Sequence, residues 1–202
     1  MTDVDSGRDD RRLAWLYAIA GIVGLVAAAV LLIEKVALLE DPSYVPSCSI
    51  NPILSCGSIM RTSQAEAFGF PNPLLGVAAF PIVVTTGVAL LAGATLRRWY
   101  WRGLLVGTIA GVAFVHWLIF QSLYRIGALC PYCMVVWVVT IAIFWYTALR
   151  MATTSVALTR GPIGPAVRLA REYHGVILTV WYLAIAVLIA RRFWDYWSTV
   201  LS

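Results

Sequence analysis

Charged residues are scarce in this sequence. They make up 12% of its 202 residues, whereas hydrophobic residues make up 61%. Because about a quarter of the residues in soluble domains are charged, this composition excludes an ordinary soluble globular protein. A glycine-rich phosphate-binding loop and an internal repeat are also missing. The net charge is +5, and the charged residues lie outside the apolar runs. This pattern is typical of loops that face anionic lipid or the cytoplasm rather than of a nucleic-acid-binding surface.

The apolar runs predict membrane spans. A span requires about 20 residues, which four runs supply, and a fifth run is shorter. Trp, Tyr and Arg collect at the ends of the runs, as they do at membrane interfaces. We predict an all-α membrane protein with a four-helix transmembrane bundle and a fifth transmembrane helix. The predicted spans are residues 13–33, 74–96, 103–123, 131–149 and 175–190.

Three segments follow from this division. Residues 1–12 form a polar tail, which we predict to be disordered and cytoplasmic. Residues 13–150 form the four-span catalytic bundle, with one long loop at 34–73. That loop contains five prolines, so it cannot be one helix. Residues 151–202 hold a basic cytoplasmic loop and the fifth span.

Loop charge predicts the orientation of the spans. Loops rich in Lys and Arg face the cytoplasm, which places the tail and the basic turn at 97–102 inside. The long loop then faces outward, and all four cysteines lie on the extracytoplasmic side of the membrane. That side is oxidising, which suits disulfide chemistry. Arg191 and Arg192 disagree with this orientation, because they would lie outside if the fifth run crosses.

Cysteine is rare, and its four copies fall into two pairs. The helix pair, Cys130 and Cys133, flanks Pro131 and Tyr132 at the start of the fourth span. Pro131 suits the first position of a helix, so Cys130 is predicted as the N-cap, with Cys133 on the same face. First-turn N–H groups favour a thiolate, the reactive form in exchange. The alternative interpretation is two small apolar residues at a helix start.

The loop pair, Cys48 and Cys56, is separated by seven residues. A loop of this length can close a disulfide on itself or release one sulfur to reach Cys130. Thiol–disulfide exchange moves oxidation from one pair to another through a mixed disulfide. The four thiols are therefore predicted to form a relay. Electrons enter at the loop pair, cross to the helix pair and leave to an acceptor in the membrane.

These residues resemble the vitamin K epoxide reductase family in its bacterial form. The resemblance covers roughly residues 13–150. It rests on the cysteines in this order on one side of a four-span core, and on the residues between them. The matching positions are Cys48, Ser55-Cys56-Gly57, Thr62, Phe68-Gly69, Asn72 and Cys130-Pro131-Tyr132-Cys133.

The resemblance implies a four-helix bundle around a quinone pocket. It also implies a membrane oxidase that regenerates a separate thioredoxin-fold (DsbA-like) disulfide donor, using menaquinone or ubiquinone as acceptor and no metal. By this likeness Cys48 exchanges with the partner, Cys56 passes electrons to Cys130, and Cys133 faces the quinone. Asn72 matches an asparagine that hydrogen-bonds a quinone carbonyl. Oxidation of a protein dithiol is a simpler interpretation than epoxide reduction.

Three further residues are candidates near the site. Thr62 matches a Ser/Thr position of the family in the loop. Trp137 stands where the vertebrate enzymes carry tyrosine, and an indole N–H can donate a hydrogen bond but cannot accept one. His116 lies within the third span, where ionisable groups often have a role, although a neutral packing histidine is the simpler interpretation. Many bacterial members also carry a fused thioredoxin-like domain, which this sequence lacks, so the partner is expected to be a separate protein.

Two other classes compete with this interpretation. A four-cysteine zinc site would use the helix pair, but the spacing of the loop pair is long for structural zinc. A membrane scaffold with two structural disulfides is the second rival, and it explains a pair within one helical turn poorly. Glu34 and Lys35 are interpreted as interfacial charges at a helix end, with no role in the site.

Overall fold

The structure, a computed structural model, describes residues 3–51, 53–194, 196 and 198. These residues form eight α-helices and no strand. A 3-10 turn, Ser63–Glu66, follows α2, and a π-helical turn, Gln121–Ile126, follows α4. The helices are α1 Asp3–Glu40, α2 Cys56–Met60, α3 Pro73–Leu91, α4 Arg98–Phe120, α5 Pro131–Thr154, α6 Val156–Arg160, α7 Gly164–Glu172 and α8 His174–Arg192.

The predicted all-α membrane architecture is confirmed. Five helices among the described residues are long and apolar enough to cross a membrane. They contain the five predicted spans apart from a few terminal residues, because uncharged apolar runs of this length favour transmembrane helix. The second of these helices continues through Pro81. The candidate spans are Asp10–Glu40, Pro73–Leu91, Arg98–Ile126, Pro131–Thr154 and His174–Arg192.

The first helix is longer than predicted at both ends. It begins at Asp3, so the prediction of a disordered tail is wrong for the described part of 1–12. Extending an existing helix adds one hydrogen bond per residue without a new nucleus, so a polar segment can continue it. The helix also runs past residue 33 to Glu40 and ends before Pro42, whose ring disfavours helix in the preceding residue.

The helices α1 and α3 pack closely against each other. A Cβ atom added at Gly87 of α3 would lie 2.6 Å from the backbone nitrogen of Ala18 and 2.7 Å from the carbonyl oxygen of Ala14. No side chain fits at these distances, so glycine permits the backbones of the two helices to approach. Tyr17 of α1, beside this contact, is fully buried.

The chain divides into two compact units after Phe144. The first contains α1 to α4 and most of α5. The second, from Trp145, contains the end of α5 and α6 to α8, so the predicted basic loop is largely helical. Within this second unit Trp145 donates a hydrogen bond to the carbonyl oxygen of His174 at 3.1 Å. The side chain of Tyr146 lies 3.0 Å from the Nδ1 atom of His174.

Candidate active site

The loop pair is joined as a disulfide. Cys48 and Cys56 are bonded, with their Cα atoms 5.6 Å apart. The segment between them is tightened by Asn51, whose side-chain oxygen accepts hydrogen bonds from the N–H groups of Ile53 at 3.0 Å and Leu54 at 2.7 Å. Asparagine favours turns through such local contacts. Cys56 is therefore presented at the first position of α2.

The helix pair lies directly beside this disulfide. Pro131 opens α5 as predicted, and Cys130 precedes it. Leu129 forms a parallel β-bridge with Leu54. The N–H of Leu129 donates a hydrogen bond to the carbonyl oxygen of Ile53 at 2.7 Å. The N–H of Ser55 donates a hydrogen bond to the carbonyl oxygen of Leu129 at 2.9 Å. Because each cysteine follows this bridge by one or two residues, the bridge fixes their relative positions.

Two sulfur atoms of different pairs are in contact. The Sγ atoms of Cys56 and Cys130 lie 2.8 Å apart, although 74 positions separate them in the chain. Cys56 is 0% exposed and Cys130 is 1% exposed, so this contact is closed to water. Cys133 is half-buried and, like Cys130, is a free thiol. The structure thus shows an oxidised loop pair in contact with a reduced helix pair.

The surroundings of Cys130 favour its thiolate. The Cys133 thiol donates a hydrogen bond to Cys130 and is the main reason that the pKa of Cys130 is lowered. Backbone N–H groups of Cys133 and Tyr132, in the first turn of α5, act in the same direction. Burial and the carboxylate of Glu34 oppose them. The thiol that touches the loop disulfide is therefore the one prepared for exchange.

An apolar cavity of about 680 Å³ lies beside the cysteines, within the first unit. Cys56, Cys130 and Cys133 all contribute to its wall, so the helix pair connects the loop disulfide to an apolar space. Other lining residues come from α1, α3, α4 and α5, and they include Leu31, Phe80, Val83, Gly107, Gly111, Phe114, Val136 and Trp137.

Trp137 provides an unused donor in this wall. Its side chain is 3% exposed, and its indole Nε1–H has no hydrogen-bond partner among the described residues. An unpaired buried N–H is unfavourable. A quinone carbonyl oxygen is an acceptor of the right kind, and the apolar lining suits a quinone ring. The residues present therefore fit such a ligand.

Asn72 also lines the cavity, but its side chain is engaged with the long loop. Its Nδ2 donates to the carbonyl oxygen of Gln64 at 2.7 Å, and its Oδ1 accepts from the N–H of Ala67 at 3.0 Å. An amide nitrogen carries two N–H groups, so one remains for another acceptor. Asn72 thus holds the 3-10 turn in place against the start of α3.

Thr62 and His116 do not line the cavity. The Thr62 hydroxyl donates to the carbonyl oxygen of Ile59 at 2.7 Å, just after the end of α2. The Nδ1 atom of His116 lies 2.8 Å from the carbonyl oxygen of Val112, one turn earlier in α4. Both side chains contact the backbone of their own segment.

Glu34 and Lys35 have more contacts than the sequence indicated. Both are buried, and both bind residues of the long loop. The interpretation as interfacial charges at a helix end is therefore wrong, because α1 continues to Glu40 and both side chains are buried. One signal was available in the sequence: Lys35 is the only lysine in the chain.

Three sulfur atoms are close enough to be considered as metal ligands. The Sγ atoms of Cys48, Cys56 and Cys130 lie within 4.8 Å of one another. Two of them are joined in the disulfide, and metal sites use thiolates rather than disulfide sulfurs. Because Cys48 and Cys56 are joined, Cys130 is the one of these three cysteines that can offer a thiolate ligand in this redox state.

Comparison with known proteins gives one result. The model of the Vitamin K epoxide reductase family matches residues 15–148. This range contains all four cysteines, the long loop and most of the first unit. No curated protein matches the chain.

Proposed function

Because the chain belongs to the vitamin K epoxide reductase family, whose members are membrane thiol–disulfide oxidoreductases, we propose that it oxidises a separate thioredoxin-fold protein. In this proposal two cysteine pairs pass the electrons to a quinone. The observation that carries it is the 2.8 Å contact between Cys56 and Cys130 beside an apolar cavity. It joins a loop disulfide to a thiol pair that faces the space where a lipid-soluble acceptor would bind.

The first exchange takes place at Cys48. A thiolate of the reduced partner attacks its Sγ, the Cys48–Cys56 bond breaks, and Cys56 leaves as a thiolate. The second thiol of the partner then attacks the mixed disulfide. This releases the partner as a disulfide and leaves the loop pair as a dithiol. Cys48 lies in a turn closed by the hydrogen bond from the N–H of Ser49 to the carbonyl oxygen of Pro46 at 3.0 Å, and it is 5% exposed. The partner therefore reaches Cys48 only after a local movement of the loop.

The second exchange joins the two pairs. Cys56 attacks Cys130 of an oxidised helix pair, which forms the Cys56–Cys130 bond and releases Cys133 as a thiolate. Cys48 then attacks Cys56, restores the loop disulfide and releases Cys130. The product is an oxidised loop pair beside a reduced helix pair, the combination present in the structure.

The quinone would supply the acceptor for the two electrons and two protons that leave the helix pair. Trp137 would hold a carbonyl oxygen through its unpaired indole N–H, and the free N–H of Asn72 is the second candidate donor. Cys133 lies within α5, whereas Cys130 precedes the helix, and both line the cavity. Cys133 is therefore the thiol that we assign to the acceptor side. The lining contains few polar groups, which limits access of water.

We further propose that the site faces the extracytoplasmic side of the inner membrane, where disulfides are formed. The basic turn at 97–102 lies at the opposite end of α4 from the π-helical turn that leads to Cys130. Positive loops remain in the cytoplasm, which places the cysteines outside. The chain would then support disulfide formation in exported proteins.

The direct test mixes the purified protein with a short-chain menaquinone and a reduced thioredoxin-fold protein. Quinone absorbance and partner thiols are followed together. We expect one quinone consumed for every two partner thiols lost. A matched protein with Cys48→Ala and Cys56→Ala should leave both unchanged. Equal quinone loss in that control would contradict the relay.

A further inference from the structure

Two adjacent charged residues of α1 are buried beside the cysteines. Glu34 is 7% exposed and Lys35 is 6% exposed. Burying a charge is unfavourable unless the charge is paired and hydrogen-bonded. The exchange steps use neither residue, so the contacts of this pair call for an explanation of their own.

Lys35 holds the arm of the long loop that carries Cys56. Its ammonium donates a hydrogen bond to the carbonyl oxygen of Met60 at 2.6 Å. Met60 ends the short helix that begins at Cys56. The same ammonium lies 2.8 Å from the carboxylate of Glu66 in the 3-10 turn. These two contacts tie α2 and the turn after it to the rigid end of α1.

Glu34 holds the other arm, which carries Cys48. One carboxylate oxygen accepts hydrogen bonds from the Tyr44 hydroxyl at 2.9 Å and from the N–H of Ser47 at 3.2 Å. The other accepts from the Ser47 hydroxyl at 2.5 Å. Ser47 directly precedes Cys48. The hydrogen bond to Glu34 raises the pKa of Tyr44, in keeping with a phenol that donates to a carboxylate.

Charge and helix geometry separate the two sets of contacts. Consecutive residues of an α-helix point about 100° apart, so Glu34 and Lys35 reach different segments of the loop. An anion binds N–H and O–H donors, whereas a cation binds carbonyl and carboxylate oxygens. Opposite charges at adjacent positions therefore select different arms of one loop.

We propose that Lys35 and Glu34 are positioning residues that set the two exchange distances of the loop pair separately. Lys35 keeps Cys56 beside Cys130, and Glu34 keeps Cys48 beside Cys56. This inference rests on the proposed function, because that function gives both distances their role. Cys48 must leave its place to reach a partner and then return, while Cys56 stays beside Cys130.

The first measurement isolates the pair Cys56 and Cys130. A protein with Cys48→Ala and Cys133→Ala retains only these two thiols, and their effective concentration is measured against glutathione in detergent. Adding Lys35→Met should lower it about tenfold, since hydrogen bonds to a charged group are lost. Lys35→Arg should restore most of it, and Glu34→Gln should change it less than about twofold.

The second measurement isolates the pair Cys48 and Cys56. A protein with Cys130→Ala and Cys133→Ala retains only these thiols. Here Glu34→Gln should lower the effective concentration by about threefold to tenfold, because the neutral amide accepts more weakly than the carboxylate. Lys35→Met should now have the smaller effect. Thermal unfolding of every variant in detergent shows that the bundle remains folded.

Separate positioning is supported if Lys35→Met mainly lowers the effective concentration of the pair Cys56 and Cys130, and Glu34→Gln mainly lowers that of the pair Cys48 and Cys56. Equal losses in both pairs would mean that the charges only hold the loop together, and would overturn the inference. Unchanged values, or the opposite pattern, would overturn it as well. Neither measurement contains quinone or a partner protein, so a failed quinone assay would count against the proposed function alone.

Discussion

The loop pair and the helix pair are held by different kinds of structure. Cys48 and Cys56 are eight positions apart and lie on arms attached through side-chain hydrogen bonds. Cys130 and Cys133 lie three positions apart at the start of a 24-residue helix. The arms lie outside the spans, whereas the helix pair stands at the start of one. One pair is therefore suited to meeting a soluble protein, and the other to facing a fixed cavity.

The largest expected effect comes from breaking the helix pair. Cys133→Ala should lower quinone-coupled oxidation of the partner by roughly 1000-fold or more, as for other losses of a reacting group. After one reaction with the reduced partner, the loop pair should stay a dithiol, because no oxidised helix pair remains to restore its disulfide. Quinone absorbance and non-reducing gels measure the two results. Substantial turnover would show that Cys133 does not serve the acceptor side.

Breaking the loop pair should instead trap an intermediate. With Cys56→Ala, the free Cys48 thiolate attacks the disulfide of an oxidised partner, which forms a mixed disulfide and releases one partner thiolate, and no second loop cysteine remains to resolve the mixed disulfide. Non-reducing gels of cells should then show a larger band that reductant removes. The matched variant Cys48→Ala should lack this band. A band in Cys48→Ala alone would reverse the order of the two loop cysteines.

The lowered pKa of Cys130 predicts how its reactivity depends on pH. In a protein with Cys48→Ala and Cys56→Ala, alkylation of Cys130 should continue at pH values below the ordinary thiol range and decline as pH falls through its pKa. Adding Cys133→Ala removes the main donor, so the profile should move to higher pH. Cys133→Ser keeps a hydroxyl donor and should move it less. Identical profiles would contradict the assigned hydrogen bond.

A smaller effect is expected in the cavity wall. Trp137→Phe removes the unpaired N–H but keeps an aromatic ring, so the KM for quinone should rise about fivefold, the size of one hydrogen bond. The kinetics of the loop pair with its partner should not change. Trp15→Phe is a matched control, since Trp15 is half exposed on α1. Equal effects of both changes would argue against a quinone contact at Trp137.

The smallest effect is expected at His116. The residue lies outside the cavity wall, so His116→Gln should change quinone-coupled turnover less than about twofold. Steady-state rates over a range of pH provide the check. A loss of turnover whose size depends on pH would instead indicate a role for His116 in proton transfer.

Much of the fold could be predicted because its signals are local. Uncharged runs of about 20 residues indicate spans directly, and Pro131 marks the start of α5 from its own backbone restrictions. The helical tail from Asp3 and the helices within the basic loop could not be predicted in this way. Polar segments have no strong local preference, so their state depends on the neighbouring helix.

The candidate site shows the same division. The four cysteines were recognisable from their spacing and order, which chemistry requires. The contacts of Asn72 with the loop and the burial of Lys35 could not be predicted from the sequence, because both depend on how the long loop folds onto the helices. A charge next to an apolar run has the same local pattern whether it faces headgroups or a carbonyl oxygen.

By itself the sequence determined the class of the protein, its spans and the pairing pattern of its four cysteines, since composition and spacing are properties of the chain. The family resemblance implied that Cys56 meets Cys130, and the tertiary structure supplied the contact itself, with the two Sγ atoms 2.8 Å apart. Only the tertiary structure decided that Trp137 has an unpaired N–H in the cavity wall and that Glu34 and Lys35 each hold one arm. These facts are distances between residues far apart in the chain, and such distances exist only once the helices have packed.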